Sequence, residues 1–349
     1  MMTGKERVMN AVSHKPADRF PVDIWADETV WKKLMDYFGK THEEIRRMFE
    51  IDIRYVGPVP LGETTTEPDE NGVWLDSWGV GYKRIQTETG FHDDCVFHPL
   101  ANMETVKEID NYPWPDPEKF NYEIIAGACD EWKEYAVMCG YGHFFCPGAD
   151  LRGYEQWFVD IAEESDVAFA IMEHMLDYWM TYSTRVFEND EGKIDIFNLA
   201  DDYSSQRGLL FSLNSFRRFF RPYLQKMIDL GKSYGKKIFF HSCGAVRALI
   251  PDLIDMGVDI LNPVQIRAAG MDPKELSKEY GRDICFHGGV DLQHTLCQGT
   301  PQDVRDEVNY LIDTLGHYNG YIIAPGHTII SDAPIENIIA LFETANNQK

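Results

Sequence analysis

The sequence contains no continuous run of 18 apolar residues, and its first 20 residues are charged and amphipathic. A transmembrane helix needs about 20 predominantly apolar residues, and a signal peptide needs an apolar central stretch. We therefore expect neither a membrane span nor a signal peptide, and we predict a cytoplasmic protein.

Positive charge is also scarce, since 33 lysines and arginines stand against 57 aspartates and glutamates and the formal net charge is −24. This charge would repel the phosphates of nucleic acid unless a local basic stripe existed, and the sequence has none. The composition argues against a nucleic-acid partner and is typical of a well-solvated acidic surface.

The seven cysteines form no CxxC pair and follow no regular spacing. A disulfide framework is therefore not expected, and reduced thiols are available for a metal. Hydrophobic residues make up 44% of the chain and charged residues 26%, the proportions of a globular protein. A length of 349 residues fits either two ordinary domains or one large barrel.

What the sequence does contain is a short apolar run that ends in two metal-binding side chains, KKIFFHSCGA at positions 236–245. The run predicts a buried strand that presents His241 and Cys243 on one side, because side chains alternate along a strand. Imidazole and thiolate suit a soft or borderline metal such as zinc, provided that a third ligand comes from elsewhere.

Strand-like and helix-like segments alternate along the whole chain. The predicted strands lie at 19–25, 51–58, 135–141, 194–202, 237–240, 258–265, 283–289 and 320–327. Eight such units predict a single (β/α)8 barrel domain over residues 1–349, with an N-terminal helix capped by Thr3. The first half is less regular than the second, so an open doubly wound sheet is the alternative fold.

Residues 61–99 depart from this alternation, because residues 72–85 have the aromatic pairs and glycine turns of hairpin strands. The stretch is too short to hold a core of its own. We interpret it as a hairpin insertion after the second strand of the barrel.

Polar residues follow almost every predicted strand, at the end where a barrel places its active site. They are Asp27, Asp201, Asp202, His241, Cys243, Gln265, His287, Asp291 and His327. His327 is the predicted third metal ligand, since its strand ends at the same barrel mouth. This clustering predicts an enzyme.

Structural roles are the alternatives at these positions. Cys243 can be a small buried residue, and His327 can cap a helix or bind a backbone carbonyl. Asp201 and Asp202 can cap helices or pair with Arg207, and only one of the two can point into the barrel. The fourth metal ligand is not assigned.

Four segments resemble the uroporphyrinogen decarboxylase superfamily, whose members are distorted (β/α)8 barrels. The segments are DDYSSQRGLLFS, FFHSCGAVRALIPDLIDMGVDILNPVQ, FHGGVDLQ and YIIAPGHTIISDAPIENI. The resemblance covers nearly the whole chain and is strongest from Asp201 to Glu336. It implies one of two activities.

The decarboxylase branch of that superfamily has an arginine-rich segment after its first strand, which binds the carboxylates of a tetrapyrrole. The corresponding stretch here reads FPVDIWADE at positions 20–28, with acidic residues in place of the arginines. A substrate with many carboxylates would be repelled at this mouth.

The other branch contains corrinoid-linked methyltransferases, whose zinc is bound by a His-x-Cys pair and a distant cysteine. His241 and Cys243 match the pair, and His327 stands in place of the distant cysteine. Histidine is an accepted zinc ligand. The resemblance therefore implies a zinc-dependent methyltransferase that moves a methyl group between a small methylated or methoxylated substrate and cobalamin carried by a partner corrinoid protein.

Under this hypothesis Asp202, Gln265 and His287 are the candidate catalytic residues, which orient the substrate or transfer a proton. The alternatives are a decarboxylase of a tetrapyrrole or other carboxylate, and a barrel that binds a corrinoid or a partner protein without catalysis. The sequence leaves open the methyl donor and acceptor, the direction of transfer and the oligomeric state.

Overall fold

A computed structural model of the protein describes residues 2–86, 91–140 and 142–348. Its strands are β1 Ile53–Tyr55, β2 Val59–Pro60, β3 Val73–Leu75, β4 Gly81–Gln86, β5 Phe91–Phe97, β6 Phe120–Asn121, β7 Ala136–Cys139, β8 Ile196–Ala200, β9 Lys237–His241, β10 Ile260–Val264, β11 Cys285–Val290 and β12 Tyr321–Pro325. Tyr141, at the end of the third predicted strand, and residues 87–90 of the predicted insertion lie outside the described residues.

The helices are α1 Gly4–Val12, α2 Glu28–Phe38, α3 His42–Met48, α4 Val106–Asp110, α5 Ile125–Glu131, α6 Phe145–Arg152, α7 Tyr154–Glu163, α8 Asp166–Glu188, α9 Leu213–Ser215, α10 Arg221–Ser233, α11 Ile250–Met256, α12 Pro273–Tyr280, α13 Pro301–Thr314 and α14 Ile335–Asn346. A π-helical turn, Phe216–Phe220, joins α9 to α10. Within the described residues, no helix is long and apolar enough to cross a bilayer.

Seven strands form one parallel sheet in the order β1-β7-β8-β9-β10-β11-β12. The sheet is curled into a distorted barrel, and the predicted α/β barrel fold is therefore confirmed. Strands β3, β4 and β5 form a separate antiparallel sheet within the region predicted as an insertion. The bounds of that insertion, and the division of the chain into domains, remain a prediction.

The gap between β12 and β1 is spanned by residues 21–27, which we call the closing segment. Val22 forms a parallel bridge with Ile323, and Asp23 N–H donates to the Ile323 carbonyl at 2.9 Å. On the other side the Asp52 N–H, just before β1, donates to the Val22 carbonyl at 2.9 Å. The first predicted strand therefore occupies the expected place.

The closing segment is not a regular strand for two reasons. Pro21 has no backbone N–H to contribute to a ladder. The Val22 N–H donates to the side chain of Asp52 at 2.8 Å, so it forms no backbone hydrogen bond with β1. A run of isolated bridges replaces the continuous pairing that the sequence pattern predicted.

The barrel interior is layered, because alternate residues of each strand point inward. The lower layer contains Ile53, Ala136, Ile196, Phe239, Ile260, Cys285 and Ile322, and the apolar side of α1 packs against it. Two residues further along β9, β10 and β11, side chains point inward again, and these are His241, Asn262 and His287. The sheet thus carries polar side chains above an apolar floor.

Asp52 connects three elements at the start of β1 and is 2% exposed. Its carboxylate pairs with Arg7 of α1 at 3.1 Å and with Arg19 at 2.6 Å, and it also accepts the Val22 N–H. The same side chain therefore holds α1, the closing segment and β1 together.

Replacing Asp52 with alanine should lower the free energy of unfolding by about 3 to 5 kcal/mol, because it removes the shared partner of two largely buried arginines. Urea denaturation followed by circular dichroism measures this change. Asp93, which pairs with the exposed Arg84 at 2.8 Å on the hairpin sheet, is the matched control. Asp93→Ala should cost less than about 1 kcal/mol. Equal losses at the two positions would contradict the role given to Asp52.

Candidate metal centre

Three potential metal ligands meet at the carboxyl ends of the barrel strands. His241 ends β9, Cys243 follows two residues later, and His327 follows β12. Their ligand atoms all lie within 4.8 Å of one another, and Cys243 Sγ is 3.4 Å from His241 Nε2. Ligand atoms around a tetrahedral zinc ion are about 3.5 Å apart, so the three side chains fit such an ion with small adjustments.

The ring of His241 is held in one orientation. Its Nδ1 donates to Oδ1 of Asn262 at 2.5 Å, and the indole of Trp25 stacks on it with centroids 5.4 Å apart. Burial lowers the pKa of His241, which favours the neutral imidazole. With Nδ1–H donated to Asn262, the lone pair of Nε2 is left for a metal.

The hydrogen bonds continue from Asn262 across the barrel interior. The Asn262 amide donates to His287 Nδ1 at 2.6 Å, and His287 Nε2 donates to the Asp23 carboxylate at 3.1 Å. The hydroxyl of Tyr55 donates to the same carboxylate. An ionised carboxylate can only accept hydrogen bonds, so His287 donates to Asp23, Asn262 donates to His287 and His241 donates to Asn262. This order fixes the tautomer of His241, with its proton on Nδ1.

Two further predicted residues hold the loop that carries Cys243. Asp202 Oδ1 accepts the Cys243 N–H at 2.8 Å and lies 3.5 Å from His241 Nε2. Gln265 Oε1 accepts the Gly244 N–H at 3.0 Å. Gly244 has φ +88°, a conformation that other residues rarely adopt. The catalytic roles predicted for Asp202, Gln265 and His287 remain predictions.

The triad lies in the wall between two cavities. A cavity of about 530 Å³ is lined by His241 and His327 together with Trp25 and Tyr55. A second cavity of about 310 Å³ is lined by Cys243 and His327. Each cavity therefore borders two of the three ligands, and His327 borders both.

Other polar residues at strand ends have structural contacts instead. Asp201 is buried and accepts backbone N–H groups at the start of α6, among them that of Cys146 at 2.9 Å. Burial raises its pKa to about 6. Asp27 accepts the Val30 N–H at 2.7 Å and caps α2, and Asp291 pairs with Arg267 at 3.0 Å.

Asn262 and Asp23 are site residues that sequence reasoning missed. Both lie inside apolar segments, DILNPVQ and FPVDIW, rather than after them. A polar residue at an inward-facing position of a buried strand is the signal that would have found them. Their partners are far away in sequence, since Asp23 and His287 are 264 positions apart.

The fold and the clustered ligands define a barrel enzyme with a candidate metal centre at its mouth. Residues 86–348 match the protein family described as Uroporphyrinogen decarboxylase (URO-D). The chain belongs to this family, and the predicted superfamily is confirmed.

Several relatives are methyltransferases. Methylcobamide:CoM methyltransferase MtbA of Methanosarcina acetivorans is 21% identical over 358 residues, which cover 99% of this chain and 98% of that protein. Methylcobamide:CoM methyltransferase MtaA of Methanosarcina barkeri is 28% identical over 151 residues, 43% of this chain and 41% of that protein. The solved structure of a methyltransferase from Methanosarcina mazei superposes with a TM-score of 0.72 at 18% identity and covers 99% of each chain.

If the triad binds a metal, the purified protein should take up about one Zn²⁺ per chain, and Cys243→Ser should lose it, because a neutral hydroxyl is a much poorer ligand than a thiolate. Elemental analysis after gel filtration measures the stoichiometry. Cys297→Ser is the matched control, since Cys297 is also partly buried but lies outside the triad. Retention of zinc by Cys243→Ser would show that the ligand assignment is wrong.

Asn262→Leu should weaken zinc binding by about 10- to 100-fold without abolishing it, because the histidine keeps its donor atom but loses the group that orients it. Competition with a chromophoric chelator gives the affinity. Asn198→Leu, on β8, is the control, since the buried Oδ1 of Asn198 has no hydrogen-bond partner among the described residues and so orients no ligand. An unchanged zinc affinity in Asn262→Leu would show that Asn262 does not orient His241 for metal binding.

Proposed function

We propose that the protein is a zinc-dependent methyltransferase that moves a methyl group between a small methylated or methoxylated substrate and a corrinoid carried by a partner protein. The observation that carries this proposal is the position of the triad between two cavities. A methyl group passes from donor to acceptor by displacement in line, so the two reactants must approach one carbon from opposite sides. A site open on two sides allows this approach.

The similarity to methyltransferases supports the same reaction. Both relatives are named for transfer between methylcobamide and CoM, and one of them matches over nearly the whole chain.

His241, Cys243 and His327 would bind the zinc ion. The donor set of two imidazoles and one thiolate fits it, and three protein ligands are the number that a catalytic zinc ion takes when its fourth position is used by substrate or water. Bound zinc supplies Lewis acidity, which activates a poor leaving group or lowers the pKa of a heteroatom nucleophile.

The remaining steps belong to side chains of the protein. The cavity of about 530 Å³ holds the small substrate beside His241 and His327. Asp202 Oδ1 lies 3.5 Å from His241 Nε2, where it would accept the proton that a thiol, alcohol or phenol releases on binding. Gln265 keeps the loop of Cys243 in place through the Gly244 N–H. His287 acts from the interior by orienting Asn262.

The second cavity, at about 310 Å³, is smaller than a corrinoid macrocycle. We therefore propose that the corrinoid stays at the barrel mouth on its carrier protein and that only the methyl group reaches the triad. Gln265, Gln206 and Arg267 line this side and would contact the partner or its corrinoid.

Zinc-loaded protein should demethylate methylcobalamin in the presence of CoM, or methylate reduced cobalamin from a methylated donor, with the corrinoid absorbance as the readout. Cys243→Ser and a chelator should each lower the rate by roughly a thousandfold, because Lewis-acid activation contributes several kcal/mol. Cys297→Ser should retain the wild-type rate.

A rate that is insensitive to both chelator and Cys243→Ser would refute the role of the metal. Release of carbon dioxide from uroporphyrinogen by metal-free protein would favour the decarboxylase alternative instead.

A further inference from the structure

The larger cavity has an unusual charge composition for a protein with a net charge of −24. Among its described lining residues no side chain is a carboxylate, and Arg46 is the only lysine or arginine. Four aromatic side chains form much of the remaining wall: Trp25, Trp31, Tyr55 and Tyr182. The cavity thus joins an apolar aromatic surface to one guanidinium.

Arg46 is partly buried, and it differs from the three buried arginines of the described chain. Arg7, Arg54 and Arg152 each form an ion pair with a carboxylate, at 2.6 Å, 3.0 Å and 2.8 Å respectively. No carboxylate among the described residues lies within ion-pair distance of Arg46, and its buried Nε has no hydrogen-bond partner. A buried N–H donor without a hydrogen-bond partner is costly, and native structures rarely contain one.

The surroundings of Arg46 do not supply the missing partner. Its guanidinium lies 5.5 Å from the ring centroid of Trp31, a cation–π contact that supplies no hydrogen-bond acceptor to the edge of the guanidinium. Burial lowers the pKa of Arg46, and the negative charge of Asp23 opposes this only in part. Asp23 itself is hydrogen-bonded to His287 and Tyr55. Glu43, on the same helix, pairs with Arg47 and Arg54.

We infer that Arg46 binds a carboxylate group of the small substrate, whose apolar body lies against the aromatic wall while its methylated heteroatom faces His241 and His327. This inference rests on the proposed use of the cavity for substrate. A guanidinium is planar and matches a carboxylate with two parallel hydrogen bonds, which makes it selective for that group.

The aromatic side chains of the cavity and the Asn198 side chain indicate what the rest of the ligand is. Aromatic rings favour an aromatic or flat apolar body, since stacked and edge-to-face contacts add to the burial of area. Asn198 Oδ1 lines the same cavity and is buried without a hydrogen-bond partner, so it can accept one hydrogen bond from a hydroxyl of the ligand. A methoxylated aromatic acid has all of these features.

The position of this cation separates it from the arginines that the decarboxylase branch uses. Those follow the first strand, where this sequence is acidic, whereas Arg46 comes from α3. In this protein the arginine that would bind a carboxylate therefore comes from a different element than in the decarboxylase branch, and it would bind one carboxylate only.

Calorimetry with 4-methoxybenzoate and its uncharged counterpart 4-methoxybenzamide tests the inference. Wild-type protein should bind the carboxylate at least about tenfold more tightly than the amide, because hydrogen bonds to charged groups are the stronger ones. Arg46→Gln should remove this preference, and Arg46→Lys should keep part of it. Arg47→Gln is the matched control, since Arg47 is the next residue, is exposed and points to Glu43.

Equal affinity of wild-type protein for the two probes, or binding of neither, would overturn the inference, as would a preference that survives in Arg46→Gln. Circular dichroism checks that the variants fold. If Arg46→Gln does not fold, the comparison of the two probes on wild-type protein and on Arg46→Lys decides the question. The measurement uses no corrinoid and is done with and without zinc. A preference for the carboxylate without any methyl transfer would refute the proposed function alone, whereas methyl transfer without the preference would refute only the role of Arg46.

Discussion

The hydrogen-bonded chain from Asp23 to His241 is the constraint on which the rest of the site depends. It begins on the closing segment, crosses the barrel interior through His287 and Asn262, and ends at a ring whose second nitrogen faces the mouth. Each member is buried or largely buried, so a reversed amide or a different tautomer would leave polar atoms unpaired. The geometry of the candidate ligands is therefore tied to the closure of the barrel.

The sequence predicted well what depends on local periodicity. Alternation along a strand placed His241 and Cys243 on the same side, and the rule for barrel mouths brought His327 to them from 84 positions away, as the structure shows (327 − 243). The strands of the second half lie close to their predicted positions for the same reason: a buried parallel strand is a continuous apolar run with a sharp polar end.

What the sequence could not predict depends on closure and on pairing over long distances. The first strand was predicted from its apolar run, but Pro21 and the side chain of Asp52 interrupt its ladder. The partners of Asn262 could not be predicted even where its inward position could, since His241 and His287 lie on two other strands. Arg46 lies among charged residues of α3, and only the folded cavity separates it from its exposed neighbour Arg47.

The closing segment also has a dynamic consequence. The Val22 N–H is bonded to a side chain and the bridges of the segment are isolated, so this seam lacks the continuous ladder that joins β11 to β12 or β8 to β9. Amide hydrogen exchange is fastest where such cooperative pairing is thin. Because Ile24, Trp25 and Ala26 of this seam also line the larger cavity, a molecule bound there would slow exchange along the seam. Occupation of the cavity would therefore shift this seam toward its closed, hydrogen-bonded form.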